Sequence, residues 1–326
     1  KAVMCSYNKI NGLHSSDNCQ LLTETLRQQW GFDGLVVTDW GAMNNRIEAF
    51  NAGCDLNMPG GHNYMHKDCV QAVKFGQLAE SCIDTSALRI SKLMDFAANI
   101  KDRNTDFSRE AHHQLARQGA ESGAVLLKNE GLLPLNKDKK IALIGLMAKE
   151  PRYQGTGSSH ILPYKIDAPI DFIEHSQYAQ GYNCHGNTNK LMLDEACNSA
   201  ANCYISVIFV GLPEQFEAES FDRKDMKMPE GHVRLIEKVA QTNPNIVVVL
   251  CTGSPVECPW ADKVGAILYM GLGGQAIGQA AANLLYGKVC PSGKLAESWP
   301  YKYQDCVSSS FYGSKDALYM EGIYVG

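Results

Sequence analysis

The sequence predicts an α/β protein in two parts, and three observations carry that prediction. Short apolar runs of strand length, such as Leu35-Val-Val-Thr38 and Ile246-Val-Val-Val-Leu250, alternate with amphipathic helical stretches. These runs are continuously apolar rather than alternating, the pattern of strands covered on both faces. The 326 residues exceed the usual size of one core, and the polar stretch Lys101-Asp-Arg-Asn-Thr-Asp-Phe-Ser108 makes a plausible linker between two.

Taken in order, Ala2 to Tyr7 reads as a strand. Leu22, Leu26 and Trp30 fall at i, i+4 and i+8 on one helix face, after Ser16 and Asp17 as N-caps and before Gly31 as a stop. Leu35 to Thr38 is the next strand, Met43 to Asn51 the next helix, and Asp55-Leu-Asn-Met-Pro59 a short third strand. This βαβαβ series calls for parallel strands. Helical patterns follow at Cys69 to Phe75 and Ser86 to Ala98. Beyond the linker come a helix from Arg109 to Ser122 and an apolar run from Ala124 to Leu127. Strands are expected at Ile141 to Ile144, Tyr204 to Val210, Ile246 to Leu250 and Ala266 to Met270, with helices at Arg234 to Gln241 and Gln275 to Leu285. Three strands cannot close a barrel and would leave an open edge, so the first unit is expected to be incomplete. The start at Lys1 and the strand-like end at Gly322-Ile-Tyr-Val-Gly326 agree with cuts through a larger protein.

Composition narrows the function. Hydrophobic residues make up 45% and charged residues 20%, and the net charge of -5 offers no footprint for nucleic acid or an anionic membrane. No stretch approaches the roughly 18 to 20 apolar residues of a membrane span. Twelve cysteines, several in apolar runs (Cys5, Cys203, Cys251) and none in a Cys-x-x-Cys pair, read as free buried thiols in a reducing, cytoplasmic compartment; disulfides in a secreted protein are the alternative. Cys184-His185 and His112-His113 lack a second ligand pair, so zinc is not expected. Gly271-Leu-Gly-Gly-Gln-Ala-Ile-Gly278 has the wrong glycine spacing for a dinucleotide loop, and no cofactor is expected.

The chemistry lies in carboxylates. Gly34-Leu-Val-Val-Thr-Asp-Trp-Gly41 delivers Asp39 to the point where a buried strand meets solvent, where α/β proteins keep reactive groups; the plain alternative is a turn aspartate. After the strand Tyr204 to Val210 comes Gly211-Leu-Pro-Glu-Gln-Phe-Glu-Ala-Glu-Ser-Phe-Asp-Arg223, whose crowded glutamates repel one another unless paired or protonated. A raised carboxyl pKa is what a general acid requires, whereas a solvated acidic loop with Arg223 pairing Asp222 is the alternative. Two such carboxyls, with Trp40, Phe216 and Phe221 as stacking surfaces, suit acid and nucleophile catalysis on a sugar.

At this point the segments Ala2-Val-Met-Cys-Ser-Tyr-Asn-Lys-Ile-Asn-Gly12, Trp30-Gly-Phe-Asp-Gly-Leu-Val-Val-Thr-Asp-Trp-Gly-Ala42 and Ala52-Gly-Cys-Asp-Leu-Asn-Met-Pro-Gly60 resemble the glycoside hydrolase family 3 β-glucosidases. So do Val125-Leu-Leu-Lys-Asn129 with Leu133-Pro-Leu135, Gly155-Thr-Gly-Ser158, Glu219-Ser-Phe-Asp-Arg223 and Tyr319-Met-Glu-Gly-Ile-Tyr-Val-Gly326, all in the family's order. The resemblance implies the C-terminal part of a (β/α)8 barrel followed by an α/β sandwich domain, with the active site at their interface. Residues 1–100 would be the last strands and helices of the barrel, 101–111 the linker, 112–300 the sandwich, and 301–326 a tail toward a C-terminal β domain. It makes Asp39 the nucleophile, places Trp40 and Tyr7 in the sugar site, brings Ser158 to the sugar, and points to Glu219 as acid/base. Ser220 stands where the family pattern has glycine, so Glu217 and Glu214 remain the other choices.

A retaining mechanism then needs the two carboxyls about 5 to 5.5 Å apart. The implied substrate is a β-linked oligosaccharide or glucoside, with no nucleic acid or membrane partner; β-xylosidase and related activities share the scaffold. The implied barrel half before Lys1 would come from the same or another chain, and this chain alone is expected to turn over no substrate. The rival from another class is a non-catalytic carbohydrate-binding or assembly subunit. Asp55 either faces the pocket or stabilises a turn, and His112 and His113 are read as packing or surface residues.

Overall fold

A computed structural model describes residues 1–61, 63–100 and 106–324. It comprises two compact units, residues 1–105 and 106–326.

In the first unit, β1 (Ala2–Cys5) pairs in parallel with the strand Leu35–Thr38, with Val3 opposite Val36 and Cys5 opposite Thr38. Between them lies a small antiparallel hairpin, β2 (Lys9–Ile10) and β3 (Leu13–His14), which makes Leu35–Thr38 β4. Its turn is Asn11-Gly12, both residues at positive φ (52° and 86°), the pairing that tight hairpins favour. The expected third strand is reduced to one bridge, Val37 to Leu56. The Asp55 carboxylate turns inward to accept the Val36 N–H (2.8 Å), occupying a donor a neighbouring strand would use, and Pro59 has no N–H to offer.

The helix Gln20–Gln29 closes with i to i+5 bonds, Trp30 N–H reaching Thr25 O, so its buried face drifts from the expected spacing. Leu22 is buried, but Trp30 lies past the helix end and is 74% exposed. Helix α1 (Arg46–Ala52) begins where Asn45 accepts the N–H groups of Ile47 and Glu48 and stops at Gly53, whose φ of 96° suits glycine. Helices α2 (Asn63–Lys74) and α3 (Glu80–Ala98) complete the unit. Residues 101–105, the first part of the expected linker, lie outside the described residues.

The second unit opens with α4 (Arg109–Gly123), capped by Ser108. Its six-stranded sheet joins β5 (Val125–Asn129), β6 (Ile141–Ile144), β7 (Ser176–Ala179), β8 (Ile205–Gly211), β9 (Ile246–Cys251) and β10 (Ala266–Tyr269) in the order β5-β10-β9-β8-β6-β7. All neighbours are parallel except β5, which runs antiparallel to β10. Strands β6, β8 and β9 are buried residue after residue, as continuous apolar runs require. The helices α5 (Lys190–Ala201), α6 (Glu230–Ala240) and α7 (Ile277–Leu285) pack with α4 in pairs, α4 on α7 and α5 on α6. Strand β7 and helix α5 were not expected from the sequence. Ser176-Gln-Tyr-Ala179 is a polar edge strand, and α5 shows its start only in the Asn189 cap.

Residues 303–305 and 307–310 form short 3₁₀ turns, and Val325 and Gly326 of the last family-like segment lie outside the described residues. All twelve cysteines are free thiols, with Cys5, Cys54, Cys69 and Cys251 buried. No helix among the described residues is long and apolar enough to cross a membrane.

Candidate active site

Asp39 follows β4 directly, and its backbone is fixed on both sides. Its N–H donates to Cys5 O of β1 (3.1 Å) and its carbonyl accepts Ala42 N–H (3.1 Å), while Gly41 N–H reaches Met58 O (2.8 Å). The left-handed φ of Gly41 (82°) makes the turn that lets the chain leave the strand here. Oδ1 of Asp39 accepts the Trp40 N–H (2.6 Å), and the Tyr7 hydroxyl lies 3.1 Å from the same oxygen and 2.7 Å from Trp40 O. Tyr7 and Trp40 thus stand beside Asp39, and the Trp40 ring is 66% exposed. The exposed Trp40 ring and the half-buried Asp39 carboxylate are therefore neighbours at the end of β4.

Asp55 does not belong to that group of residues. Its buried carboxylate receives Arg27 Nη2 (2.8 Å) and Val36 N–H (2.8 Å) on Oδ2, and Arg89 Nη1 (2.7 Å) and Ser86 Oγ (3.0 Å) on Oδ1. Of the two roles open from sequence, Asp55 takes the structural one, joining β4, the Gln20–Gln29 helix and α3. Burial lowers the Arg27 pKa, against the Asp55 charge that raises it.

In the second unit the glutamates of the loop after β8 separate by their partners. Glu214 Oε1 lies 3.6 Å from Arg152 Nη1. The Glu217 carboxylate is bound at the end of β9 by Gly253 N–H (2.9 and 3.1 Å) and Ser254 Oγ (3.2 Å). Glu219 faces the Gly155 to Ser158 loop: its N–H donates to Thr156 O (3.1 Å), and its Oε2 accepts the Ser158 N–H. Gly157 permits this approach, because a Cβ there would lie 2.5 Å from Glu219 Cβ and 2.6 Å from its Oε2. Ser158 therefore meets Glu219 through its backbone. Ser220 has a φ of 68° in the turn closed by Phe221 N–H to Ala218 O, which is a conformation that favours glycine. Phe216 and Phe221 are exposed on either side of Glu219.

Arg223 bonds Ser254 Oγ (2.8 Å) and Pro255 O (2.9 Å) rather than Asp222, and burial lowers its pKa. Arg152, whose guanidinium contacts both loops, leaves no sign in the sequence, because a lone arginine before Tyr153-Gln154 matches no motif.

The remaining motifs have structural roles. Gly278 packs on the backbone of Asp167 and Ala168, where a Cβ would meet Asp167 O at 2.5 Å, and Gly274 N–H donates to Tyr153 O (2.8 Å). Buried His113 lies between Asp167 Oδ2 (2.9 Å) and Gln275 Nε2 (2.7 Å), tying α4 to that glycine-rich turn. His112 is exposed and stacks on Phe107.

Comparison with known proteins gives consistent likenesses. Residues 1–93 match the model of the glycosyl hydrolase family 3 N terminal domain, and residues 124–326 that of the family 3 C-terminal domain. The chain is 46% identical over 335 residues to the thermostable beta-glucosidase B of Acetivibrio thermocellus, covering 99% of this chain and 44% of that protein. It is 39% identical over 343 residues to an exo-alpha-(1->6)-L-arabinopyranosidase of Bifidobacterium breve, covering 99% of this chain and 45% of the relative. Among solved structures, the GH3 beta-glucosidase of Bifidobacterium adolescentis superposes with a TM-score of 0.90 at 38% identity, over 100% of this chain and 49% of that one. Beta-glucosidase 3B of Thermotoga neapolitana in complex with alpha-D-glucose gives 0.83 at 30% identity, over 100% and 52%. The chain thus spans about half the length of these relatives.

Proposed function

Because the chain belongs to glycoside hydrolase family 3, we propose that the protein is a retaining, exo-acting β-glucosidase with Asp39 as nucleophile and Glu219 as acid/base. The observation that carries this is Asp39 itself, a carboxylate at the end of a buried strand, oriented by Tyr7 and the Trp40 N–H beside an exposed indole. Both hydrogen bonds fall on Oδ1, and Oδ2 is the oxygen we assign to attack. It bonds to the anomeric carbon as the glycosidic C–O bond breaks, and protonated Glu219 gives its proton to the leaving oxygen. Glu219 then takes a proton from water, the water oxygen bonds to the same carbon, and the Asp39 ester opens to restore the carboxylate. Two inversions retain the configuration. The substrate is a β-linked oligosaccharide or glucoside, entered from its non-reducing end, with the apolar sugar face against Trp40. Names of relatives and glucose-bound neighbours support glucose.

A fluorinated β-glucoside that forms a slowly hydrolysed ester tests the assignment. Peptide mapping should find the label on Asp39, and Asp39→Ala should lose several orders of magnitude in kcat/KM. A label on another carboxylate, or an Asp39→Ala protein that merely keeps binding sugar with no rate to lose, would reject it. The arabinopyranosidase relative favours one second reading, a pentopyranosidase of the same mechanism. A higher kcat/KM on an aryl α-L-arabinopyranoside than on the β-glucoside would select it.

A further inference from the structure

Arg152 is only 6% exposed, and its guanidinium is spent on two loops. Nη1 donates to Gln154 O and to Thr156 Oγ1 (3.2 Å), and Nη2 reaches Glu217 O (3.4 Å), with Glu214 Oε1 at 3.6 Å. Each contact falls on the loop that bonds Glu219 or on the loop that carries it. Thr156, held by its hydroxyl, uses its carbonyl to accept the Glu219 N–H. Gln154, held by its carbonyl, closes the loop on itself through Ile161 O (3.0 Å) and Ile161 N–H (3.1 Å), which sets the Ser158 N–H that bonds Glu219 Oε2. Glu217, held by its carbonyl, is two residues before Glu219.

We propose that Arg152 is the positioning residue for the acid/base. Without touching substrate, it fixes the relative placement of the 154–158 loop and the 214–219 loop, and so the position of the Glu219 carboxyl. The charge has a smaller part than the shape: its acidic neighbour Glu214 is 57% exposed at the side chain, where ion pairing is weak. Three acceptors from two loops, with Glu214 as a longer ion pair, need a planar fork with several fixed donors, which lysine lacks. This inference rests on the assignment of Glu219.

The test uses the full protein and a series of aryl β-glucosides from dinitrophenyl, whose leaving group needs no proton, to phenyl, whose leaving group does. Arg152→Lys should lose about 100-fold in kcat/KM on the phenyl glucoside, the size of a general-acid contribution, and be nearly unchanged on the dinitrophenyl glucoside. Azide should accelerate its turnover of the dinitrophenyl glucoside and yield the β-glucosyl azide, as it should for Glu219→Ala. A loss that is uniform across the series, or no loss at all, while Glu219→Ala shows the steep dependence, overturns the role of Arg152 alone. A flat dependence in Glu219→Ala overturns the acid/base assignment and this inference with it. If Arg152→Lys does not fold, Thr156→Val removes the bond to Nη1 and keeps the Thr156 carbonyl; it should show a shallower dependence of the same sign, and a flat series overturns the proposal.

Discussion

His232, on α6, gives this protein a pH dependence whose size follows from the structure. Its imidazole is wholly buried, with Nδ1 donating to Gly211 O (3.0 Å) at the end of β8, the ring tilted against Tyr182 at 3.9 Å, and Nε2 without a partner among the described residues. Burial pushes its pKa down from 6.5 to about 3, and the bond to Gly211 O only partly opposes that. The folded protein therefore holds the ring neutral, while the unfolded chain takes up a proton near pH 6.5. The stability is fully present above that pH and is lost as pH falls toward 3, by up to about 1.4 kcal/mol per pH unit. Between pH 6.5 and about pH 5 the loss amounts to roughly 2 kcal/mol. Urea unfolding of the native protein and of His232→Gln, at about pH 7.5 and about pH 5, isolates this part because the carboxylates are common to both. The native protein should lose roughly 2 kcal/mol more than the variant on acidification. A stability gap that does not change with pH, or that grows in favour of the native protein as pH falls, would refute the argument.

Two further substitutions test other parts of the fold. Ser220→Gly removes a serine from the left-handed region and should stabilise the protein by about 1 kcal/mol, seen as a higher Tm; an unchanged or lower Tm would show that the turn is not strained by its side chain. Asp55→Ala leaves Arg27, Arg89 and the Val36 N–H without their shared acceptor and should cost about 3 to 5 kcal/mol. Hydrogen exchange would register it as loss of protection in α3 and the Gln20–Gln29 helix, and full protection would contradict it.

Sequence reasoning read the second unit's centre well because periodicity there has one cause. The runs Ile141–Ile144 and Ile246–Cys251 are buried on both faces, so their composition alone marks them. It read edges badly. The Ser176–Ala179 strand is polar because it lies at the rim, and the Asp55–Pro59 segment lost its ladder to a side chain whose partners are far away in sequence. The Asn11-Gly12 hairpin is legible, since that dipeptide is itself a turn signal. In the candidate site, Asp39 and Trp40 were legible from the strand end, whereas Tyr7 came only from the family resemblance; the structure places its hydroxyl on Asp39 and Trp40. Arg152 was not legible, because two of its partners are backbone carbonyls, which leave no trace in side-chain identity, and the others lie in no recognisable motif with it.

The two carboxylates differ in what their positions depend on. Asp39 inherits its place from main-chain bonds to Cys5, Ala42 and neighbouring turns, which most side-chain changes leave intact. Glu219 meets a loop that needs a glycine at 157, and both that loop and Glu217 are held by Arg152, outside its own segment. Drift in this protein's sequence therefore meets a robust half and a fragile half. Under the roles proposed for these residues, changes that retune how readily a leaving group is protonated are reachable by one or two substitutions around Arg152 and Gly157, whereas moving the proposed nucleophile requires rebuilding a strand.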